Sequence, residues 1–253
     1  MSVLRADLVA TLEEILEPGR FRDYCPNGLQ VEGRNEIARL VTGVTASQAL
    51  LDAAVELGAD AVLVHHGYFW KGESPALVGM KRRRIATLLA NDINLFAYHL
   101  PLDAHPELGN NATLAARLDL LVEDELAPGD PDVVGNVGRL REPASLEEVA
   151  RRAERCLERA PLVIGDSRAR IERVAWCTGG AQGFIELAVA RGVDLYITGE
   201  ASEQTVHVAR EEGIAFLAAG HHATERYGVQ ALGELLAQRL GIEHHFVDVD
   251  NPV

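Results

Sequence analysis

Residues 40–67, LVTGVTASQALLDAAVELGADAVLVHHG, have the pattern of a strand, a helix and a second strand. The apolar spacing of residues 47–58 is helical and ends at Gly58, whereas the two flanking runs are short and rich in valine. Further strands, with helices between them, are predicted at 93–99, 173–178, 194–199, 214–220 and 243–249. Strands that alternate with helices through short connections predict an α/β fold with parallel sheets covered by helices.

A second segment, VAWCTGGAQGFIELAVARGVDLYITGE at residues 174–200, matches the first at an offset of 134 residues. The offset aligns Gln48 with Gln182, Leu51 with Ile185, Ala54 with Ala188, Gly58 with Gly192 and Asp60 with Asp194. Residues 93–105 and 214–226 correspond in the same way, since each is a buried strand followed by polar residues. We therefore predict two three-layer α/β halves of similar topology.

The predicted domain boundary lies where Gly, Pro and Asp are most frequent, in LAPGDPDVVGNVG at residues 126–138. We accordingly expect a first α/β domain over residues 1–126 and a second over residues 127–253. The segment from about residue 221 is a candidate to pack back on the first domain.

Composition excludes several classes of protein. The net charge is −14, which disfavours a nucleic-acid groove because phosphate binding needs a basic surface. No apolar run approaches the length of a transmembrane helix, and charged residues interrupt the apolar pattern of the first 16 residues. The three cysteines form no CxxC pair, and no GxxxxGK[ST] phosphate loop occurs. We expect a cytoplasmic protein without a membrane anchor.

Six of the nine histidines form three adjacent pairs. His244-His245 lies within a predicted strand, where neighbouring side chains point to opposite faces, so we expect ordinary strand residues there. His65-His66 ends a predicted strand, where the chain leaves the pleat and both rings can turn to one crevice. Open α/β sheets bind their ligands at this carboxyl edge. A pair of hydrogen-bonded loop histidines is the alternative interpretation.

Carboxylates follow two other predicted strands. Asp103 lies in the predicted loop 100–111, which leads into a short helix, and it is a metal ligand or a cap of the next turn. In GHHATER (220–226), His221 and Glu225 are four residues apart and share one face of a helix that begins near His222. An imidazole and a carboxylate on one face suit a metal ion, although a capped surface helix has the same spacing.

Taken together, His65, His66, Asp103, His221 and Glu225 all follow the carboxyl ends of predicted strands. Five ligands exceed the needs of one open tetrahedral site and are enough for two ions, with Asp103 or Glu225 bridging them. Mixed imidazole and carboxylate ligands suit Zn, Fe, Mn, Co or Ni. The sequence therefore predicts two divalent transition-metal ions per chain.

The motifs VLVHHGYFWKG, YHLPLDAHPELGNN, VAWCTGGAQG, DLYITGEASEQTVH and AAGHHATERYG resemble those of the Nif-three-like family. The resemblance is closest to its short bacterial YbgI branch, whose members are called GTP cyclohydrolase I type 2 homologues. It covers nearly the whole chain and is weakest over residues 121–172. It implies a toroidal homohexamer built as a trimer of dimers, and a dinuclear metal centre between the two halves with the same five ligands.

Several residues beside the predicted ligands are further candidates. His99 and His222 could orient ligands or carry protons as catalytic residues. Glu200 occupies the place in the second half that His66 has in the first, and is a candidate partner of a ligand. The turn that contains Gly179, Gly180 and Gly183 is either a phosphate nest or a plain turn. For the aromatic run Tyr68-Phe69-Trp70, three roles are open: lining the pocket, stacking on a base, or packing in the core. Cys25 and Cys177 are expected to be buried thiols.

Three functions are compatible with these residues. The first is a metal-dependent hydrolase acting on a small, nucleotide-like molecule, with GTP opened at guanine C8 if the family label applies. The second is a non-catalytic metal-bound ring that binds or regulates a partner, which the acidic, lysine-poor sequence favours. The third is a nucleotide phosphohydrolase that uses the same metals. A triphosphate clamp would need arginines such as Arg82, Arg83, Arg84 and Arg226.

Overall fold

The computed structural model describes residues 1–253 and consists of nine helices and thirteen strands. The helices are α1 (Arg5–Leu16), α2 (Gln48–Glu56), α3 (Gly79–Ala90), α4 (Leu100–Ala104), α5 (Asn110–Leu118), α6 (Leu146–Leu157), α7 (Ile185–Ala190), α8 (Glu203–Glu212) and α9 (His221–Leu240). The strands are β1 (Val3–Leu4), β2 (Gly28–Val31), β3 (Glu36–Ile37), β4 (Arg39–Thr45), β5 (Ala61–His66), β6 (Asn94–Ala97), β7 (Leu120–Glu125), β8 (Asn136–Ser145), β9 (Leu162–Ile164), β10 (Arg170–Trp176), β11 (Leu195–Thr198), β12 (Ala215–Ala218) and β13 (Glu243–Phe246). None of the helices is long and apolar enough to cross a membrane.

The chain forms two compact units whose limits differ from the predicted boundary at residue 126. Unit 1 comprises Met1–Leu102 and Gly228–Asp250, and unit 2 comprises Asp103–Tyr227 and Asn251–Val253. The Gly- and Pro-rich stretch near residues 126–138 connects β7 to β8, which are antiparallel neighbours in one sheet. Its composition therefore marks a connection within a sheet, and the division into domains 1–126 and 127–253 stays a prediction.

Unit 1 contains a five-stranded sheet in the order β13-β4-β5-β6-β2. The first four strands are parallel, and β2 closes one edge antiparallel to β6. Valines and leucines of β4, β5 and β6 pack against α2 and α3, in one apolar cluster. Because these central strands are parallel, their carboxyl ends meet at one edge of the sheet, where β4 and β5 finish with Thr45 beside His66.

Unit 2 contains a six-stranded sheet in the order β7-β8-β10-β11-β12-β9, in which β10, β11 and β12 are parallel. Alternate residues of β10 enter different cores. Val174 and Trp176 pack with α5 and α6, whereas Ala175 packs with α7 and α8. Helices therefore cover both faces of the sheet, and unit 2 has three layers.

The predicted α/β class is confirmed, and β4-α2-β5 and β10-α7-β11 have the same order of elements. Ser145 and Glu148, three residues apart, form a capping box at the start of α6. The sheets are mixed, however, because antiparallel strands flank the parallel ones. The predicted loop 100–111 is also wrong in part, since α4 begins directly at Leu100.

Candidate metal centre

His65 and His66 end β5 and lie side by side in unit 1, with ring centroids 4.5 Å apart. Each ring is anchored through Nδ1. The His65 Nδ1 lies 3.0 Å from the carbonyl oxygen of Tyr98, and the His66 Nδ1 lies 3.1 Å from Oγ1 of Thr45. The anchoring oxygens come from β4 and from the residue after β6, the strands on either side of β5. With Nδ1 engaged in this way, Nε2 is the ring nitrogen through which each of these histidines would coordinate a metal ion.

His99, two residues after β6, joins this pair. Its ring centroid lies 5.0 Å from that of His65 and 5.8 Å from that of His66. Each of the three histidines offers a ring nitrogen within 4.8 Å of the other two. His99 donates from Nδ1 to Oδ1 of Asp23, with a distance of 2.8 Å. The structure thus places three imidazoles together in unit 1, one more than the predicted ligand pair.

Asp23 is a site residue that the sequence analysis missed. Its side chain is only 3% exposed, and besides His99 it accepts hydrogen bonds from the backbone N–H of Tyr24 and of Leu100 and from Nδ2 of Asn27. Burial raises the pKa of Asp23. The hydrogen bond and charge of His99, with the bonds from Asn27 and Leu100, outweigh burial and lower that pKa to about 2.

Cys25 lies beside the same carboxylate, with Sγ 3.8 Å from Oδ1 of Asp23. Asp23, Cys25 and His99 form a second group whose potential ligand atoms are within 4.8 Å of one another. Cys25 and Cys177 are both buried, as predicted. Burial raises the pKa of the Cys177 thiol, and the nearby carboxylates Asp103 and Glu225 raise it further.

In unit 2, Asp103 lies within α4 and is buried. Its Oδ1 accepts hydrogen bonds from Nδ2 of Asn110 at 2.8 Å and from Oγ1 of Thr178 at 3.3 Å. Asp103 and Glu225 offer carboxylate oxygens within 4.8 Å of each other. Buried carboxylates brought this close repel one another unless a cation or a proton lies with them.

His221 and Glu225 occupy the first turn and a half of α9, which begins one residue earlier than predicted. The Nε2 of His221 lies 3.3 Å from Oε2 of Glu225, and its Nδ1 lies 2.6 Å from Oε1 of Glu200. Burial lowers the pKa of His221, but the hydrogen bonds and charges of Glu225 and Glu200 outweigh it and raise that pKa to about 9. Glu200 therefore contacts a predicted ligand, as its position in the second half suggested.

The glycine-rich turn after β10 gives α9 room to approach. Gly179 has a φ of +69°, and a Cβ there would overlap the Glu225 carboxylate and lie 3.2 Å from Nε2 of His221. A Cβ at Gly199 would lie 2.6 Å from Cα of His221. These glycines are therefore required by the close packing of the α9 amino terminus, which favours the interpretation as a structural turn over a phosphate nest.

The remaining histidines lie outside these groups. His222 belongs to none of the groups of potential metal ligands, and its backbone N–H donates to the carbonyl of Val253 at 3.0 Å. His105 accepts the backbone N–H groups of residues 107 and 108 at Nδ1, so it caps a turn. His244 bonds Oγ1 of Thr42 through Nε2, and His245 bonds Glu243, as expected of strand residues.

The aromatic run after His66 divides into core and pocket residues. Tyr68 is buried and donates to the carbonyl of Ala46, so it belongs to the core. Trp70 donates from Nε1 to the carbonyl of Gly67, and its ring meets that of His99 edge-on, with centroids 5.0 Å apart. Trp70 therefore walls the histidine cluster of unit 1.

The fold and these side chains define an α/β protein with clustered imidazole and carboxylate groups that are able to bind a metal ion. The chain belongs to the Duf34/NIF3 (NGG1p interacting factor 3) family, whose family model matches residues 3–252. The family resemblance noted in the sequence is therefore confirmed.

Similar proteins cover the whole length of the chain. A Pseudomonas aeruginosa protein named GTP cyclohydrolase 1 type 2 homolog is 60% identical over 252 residues, which is 100% of both chains. A solved structure described as protein ybgI, of unknown function, has a TM-score of 0.95 and 55% identity, and covers 99% of this chain and 100% of its own. The Thermus thermophilus protein TTHA1606 has a TM-score of 0.88 and 36% identity, with the same coverage.

The lowered pKa of Asp23 predicts a pH-dependent contribution to stability. In the metal-free protein, Asp23→Asn is expected to reduce the free energy of unfolding by on the order of 2 kcal/mol near neutral pH. The folded pKa lies below the unfolded value of 3.8, so this contribution is complete above that value and is lost as the pH falls toward 2.

Denaturant unfolding of both chains at about pH 7 and about pH 3 measures the difference. The difference in the free energy of unfolding between the wild type and Asp23→Asn should be smaller at the lower pH. Asp132→Asn, at an exposed aspartate, is the matched control and should differ little from the wild type at either pH. A gap for Asp23→Asn that does not change with pH would contradict the assignment.

Proposed function

We propose that His65, His66, Asp103, His221 and Glu225 bind two divalent transition-metal ions, and that the chain is a metal-dependent hydrolase acting on a nucleotide-like substrate. The observation that carries the metal proposal is the common anchoring of the imidazoles. Nδ1 of His65, His66 and His221 contacts an oxygen of Tyr98, Thr45 and Glu200, respectively, so Nε2 is the nitrogen through which each ring would bind an ion.

The donor set fits such ions. Imidazole nitrogens and carboxylate oxygens suit Zn, Fe, Mn, Co or Ni, and no thiolate is needed. Asp103 and Glu225 are both nearly fully buried and lie within reach of each other, so a shared cation would remove their mutual repulsion. Such ions supply a Lewis acid and an activated water when bound.

The chain's own residues prepare the proposed ligands. Asn110 and Thr178 hold the Asp103 carboxylate in place by hydrogen bonds to its Oδ1. Glu200 orients the His221 ring through its Nδ1. His99 and His222 remain candidates for a role beside the ligands, and His99 is the better supported because its ring lies beside the His65-His66 pair.

The substrate proposal rests on the names of relatives. The Pseudomonas aeruginosa relative is named GTP cyclohydrolase 1 type 2 homolog. The corresponding reaction is hydrolytic opening of the guanine ring of GTP at C8 with release of formate. A phosphohydrolase would instead release phosphate from the same nucleotide.

One observation favours the alternative, a metal-bound ring that binds or regulates a partner without catalysis. Of the arginines considered for a triphosphate clamp, Arg226 is occupied within unit 2, where its guanidinium donates to the carbonyl of Leu157 and to Oη of Tyr227. With a net charge of −14, the chain offers little other attraction for a triphosphate.

Product analysis of the metal-loaded protein with GTP tests the proposed function. We expect formate release that depends on added Mn²⁺ or Zn²⁺ and is abolished by Asp103→Asn, because that change removes a proposed ligand charge. The control His245→Gln alters a histidine of β13 that bonds only Glu243 among the described contacts, and should retain activity. Phosphate release without formate would support the phosphohydrolase, and no turnover of any nucleotide would support the non-catalytic ring.

Metal analysis tests the proposed ligands. The wild type is expected to hold about two ions per chain. Asp103→Ala should lower the occupancy of both sites if Asp103 bridges the ions, whereas His221→Ala should chiefly lower one. Elemental analysis of dialysed protein gives the stoichiometry, with His245→Ala as the matched histidine control. Full metal content in the Asp103 variant would show that Asp103 is not a ligand.

We further propose, from the family resemblance, a cytoplasmic homohexamer built as a trimer of dimers. Such a ring closes only through self-complementary and head-to-tail contacts. Six copies would carry a charge of about −84, so apolar contacts must outweigh repulsion, and raised salt should favour assembly. Light scattering in moderate salt should give six times the chain mass of 27.4 kDa. A monomer at every concentration would contradict the ring.

A further inference from the structure

The three imidazoles of unit 1 are anchored in the same way, although only two of them belong to the proposed ligand set. Nδ1 of His65 and of His99 faces an oxygen that can only accept, the Tyr98 carbonyl and the Asp23 carboxylate. A neutral imidazole has one N–H and one lone pair, so an acceptor at Nδ1 selects the tautomer with the lone pair on Nε2. His99 therefore offers the same ligand atom as His65.

We propose that His99 is an additional metal ligand through Nε2, and that Asp23 is the residue that positions it. This inference rests on the proposed metal centre, to which it adds a third imidazole from unit 1. Ring nitrogens of His65, His66 and His99 lie within 4.8 Å of one another, close enough for small side-chain movements to bring all three to one ion. A carboxylate behind a ligand histidine fixes its tautomer and raises its basicity.

The surroundings of His99 hold its ring in this orientation. Its backbone N–H donates to Oδ1 of Asn27 at 2.8 Å. Its ring also contacts Trp70 edge-on and Tyr24 in a tilted arrangement, at centroid distances of 5.0 and 5.4 Å. Rotation of the ring would break the bond between its Nδ1 and Asp23, so this bond holds the ring in its present orientation beside His65 and His66.

Asp23 acts through His99 and is not itself the ligand. Its Oδ1 accepts from Tyr24 N–H at 2.7 Å as well as from His99, and its Oδ2 accepts from Asn27 and from Leu100 N–H. A cation bound by Asp23, Cys25 and His99 would have to displace these donors. If Asp23 instead orients His99, its carboxylate keeps all of these hydrogen bonds.

Co²⁺ titration of the metal-free, full-length protein tests the proposal without any activity. Asp23→Asn removes the negative charge and replaces one of two acceptor oxygens by an NH2 donor of the same shape, so it weakens the preference of His99 for the Nδ1–H tautomer. We expect about a 10- to 100-fold loss of affinity for at least one Co²⁺ ion, and a similar or larger loss for His99→Gln. The matched controls are Cys25→Ala, which alters a neighbour of the same carboxylate, and His105→Gln, which alters a turn histidine; both should bind Co²⁺ as the wild type does.

A spectroscopic readout separates positioning from a general effect on folding. In metal-free protein labelled with ¹⁵N-histidine, long-range ¹H–¹⁵N correlation should show His99 as the Nδ1–H tautomer, and Asp23→Asn should lower the population of that tautomer. Zn²⁺ should shift the Nε2 resonance of His99 in the wild type. Thermal unfolding of each metal-free variant verifies that it is folded.

The outcomes distinguish this inference from the proposed function. The role of His99 would be overturned if folded Asp23→Asn and His99→Gln bound Co²⁺ as tightly as the wild type. It would also be overturned if Zn²⁺ did not shift the Nε2 resonance of His99. Neither result would contradict the proposed function. A loss of affinity in Cys25→Ala equal to that in Asp23→Asn would instead place the ion at the Asp23, Cys25 and His99 group. A wild type that binds no Co²⁺ would contradict the metal centre itself.

Discussion

An imidazole that is shielded from water needs partners for its two ring nitrogens, and the fold provides one at Nδ1 for four buried or half-buried histidines. The oxygens that do so belong to Tyr98, Thr45, Asp23 and Glu200, which come from different parts of the chain. For His66, the partner is provided by strand pairing, because the β4–β5 register sets Thr45 directly beside it. The orientation of each ring is thus a consequence of how the sheets are assembled, and the chemistry of the site depends on it.

In unit 2, the position of His221 depends on close packing at two glycines rather than on strand register. Gly179 and Gly199 have no Cβ at the two points where the start of α9 approaches most closely. The approach brings His221 and Glu225 next to the end of β11, where Glu200 follows two residues after the strand. The side chain of a larger residue at position 179 would overlap the Glu225 carboxylate, so the position of that carboxylate requires glycine in the turn.

Hydrophobic periodicity was sufficient to predict the parallel core and the strand ends that carry His65, His66 and His221. Periodicity did not predict elements whose exposure or length in the fold gives them no regular apolar pattern. Strand β7 has four exposed residues among six, so its sequence lacks the apolar character of a buried strand. Helix α4 has only five residues and was taken for a loop because it lacks a full helical period.

Asp23 could not have been found from local sequence, for a related reason. Its partner His99 lies 76 residues away, and the pair exists only because the 23–33 loop returns to the end of β6 through β2. The sequence Pro26-Asn27-Gly28 indicates a turn, but not which strand the chain meets after it. Long-range pairing is set by tertiary packing, which a single sequence does not display.

Each unit contains one of the two tryptophans, so tryptophan fluorescence is able to report on each unit separately. Trp176 is fully buried in the core of unit 2, where its indole N–H donates to the carbonyl of Asn111. Trp70 is only partly buried and touches the ring of His99 in unit 1. The fluorescence of Trp176 therefore reports whether the core of unit 2 is intact, and that of Trp70 responds to the histidine cluster. Replacing one tryptophan by phenylalanine leaves the signal of the other.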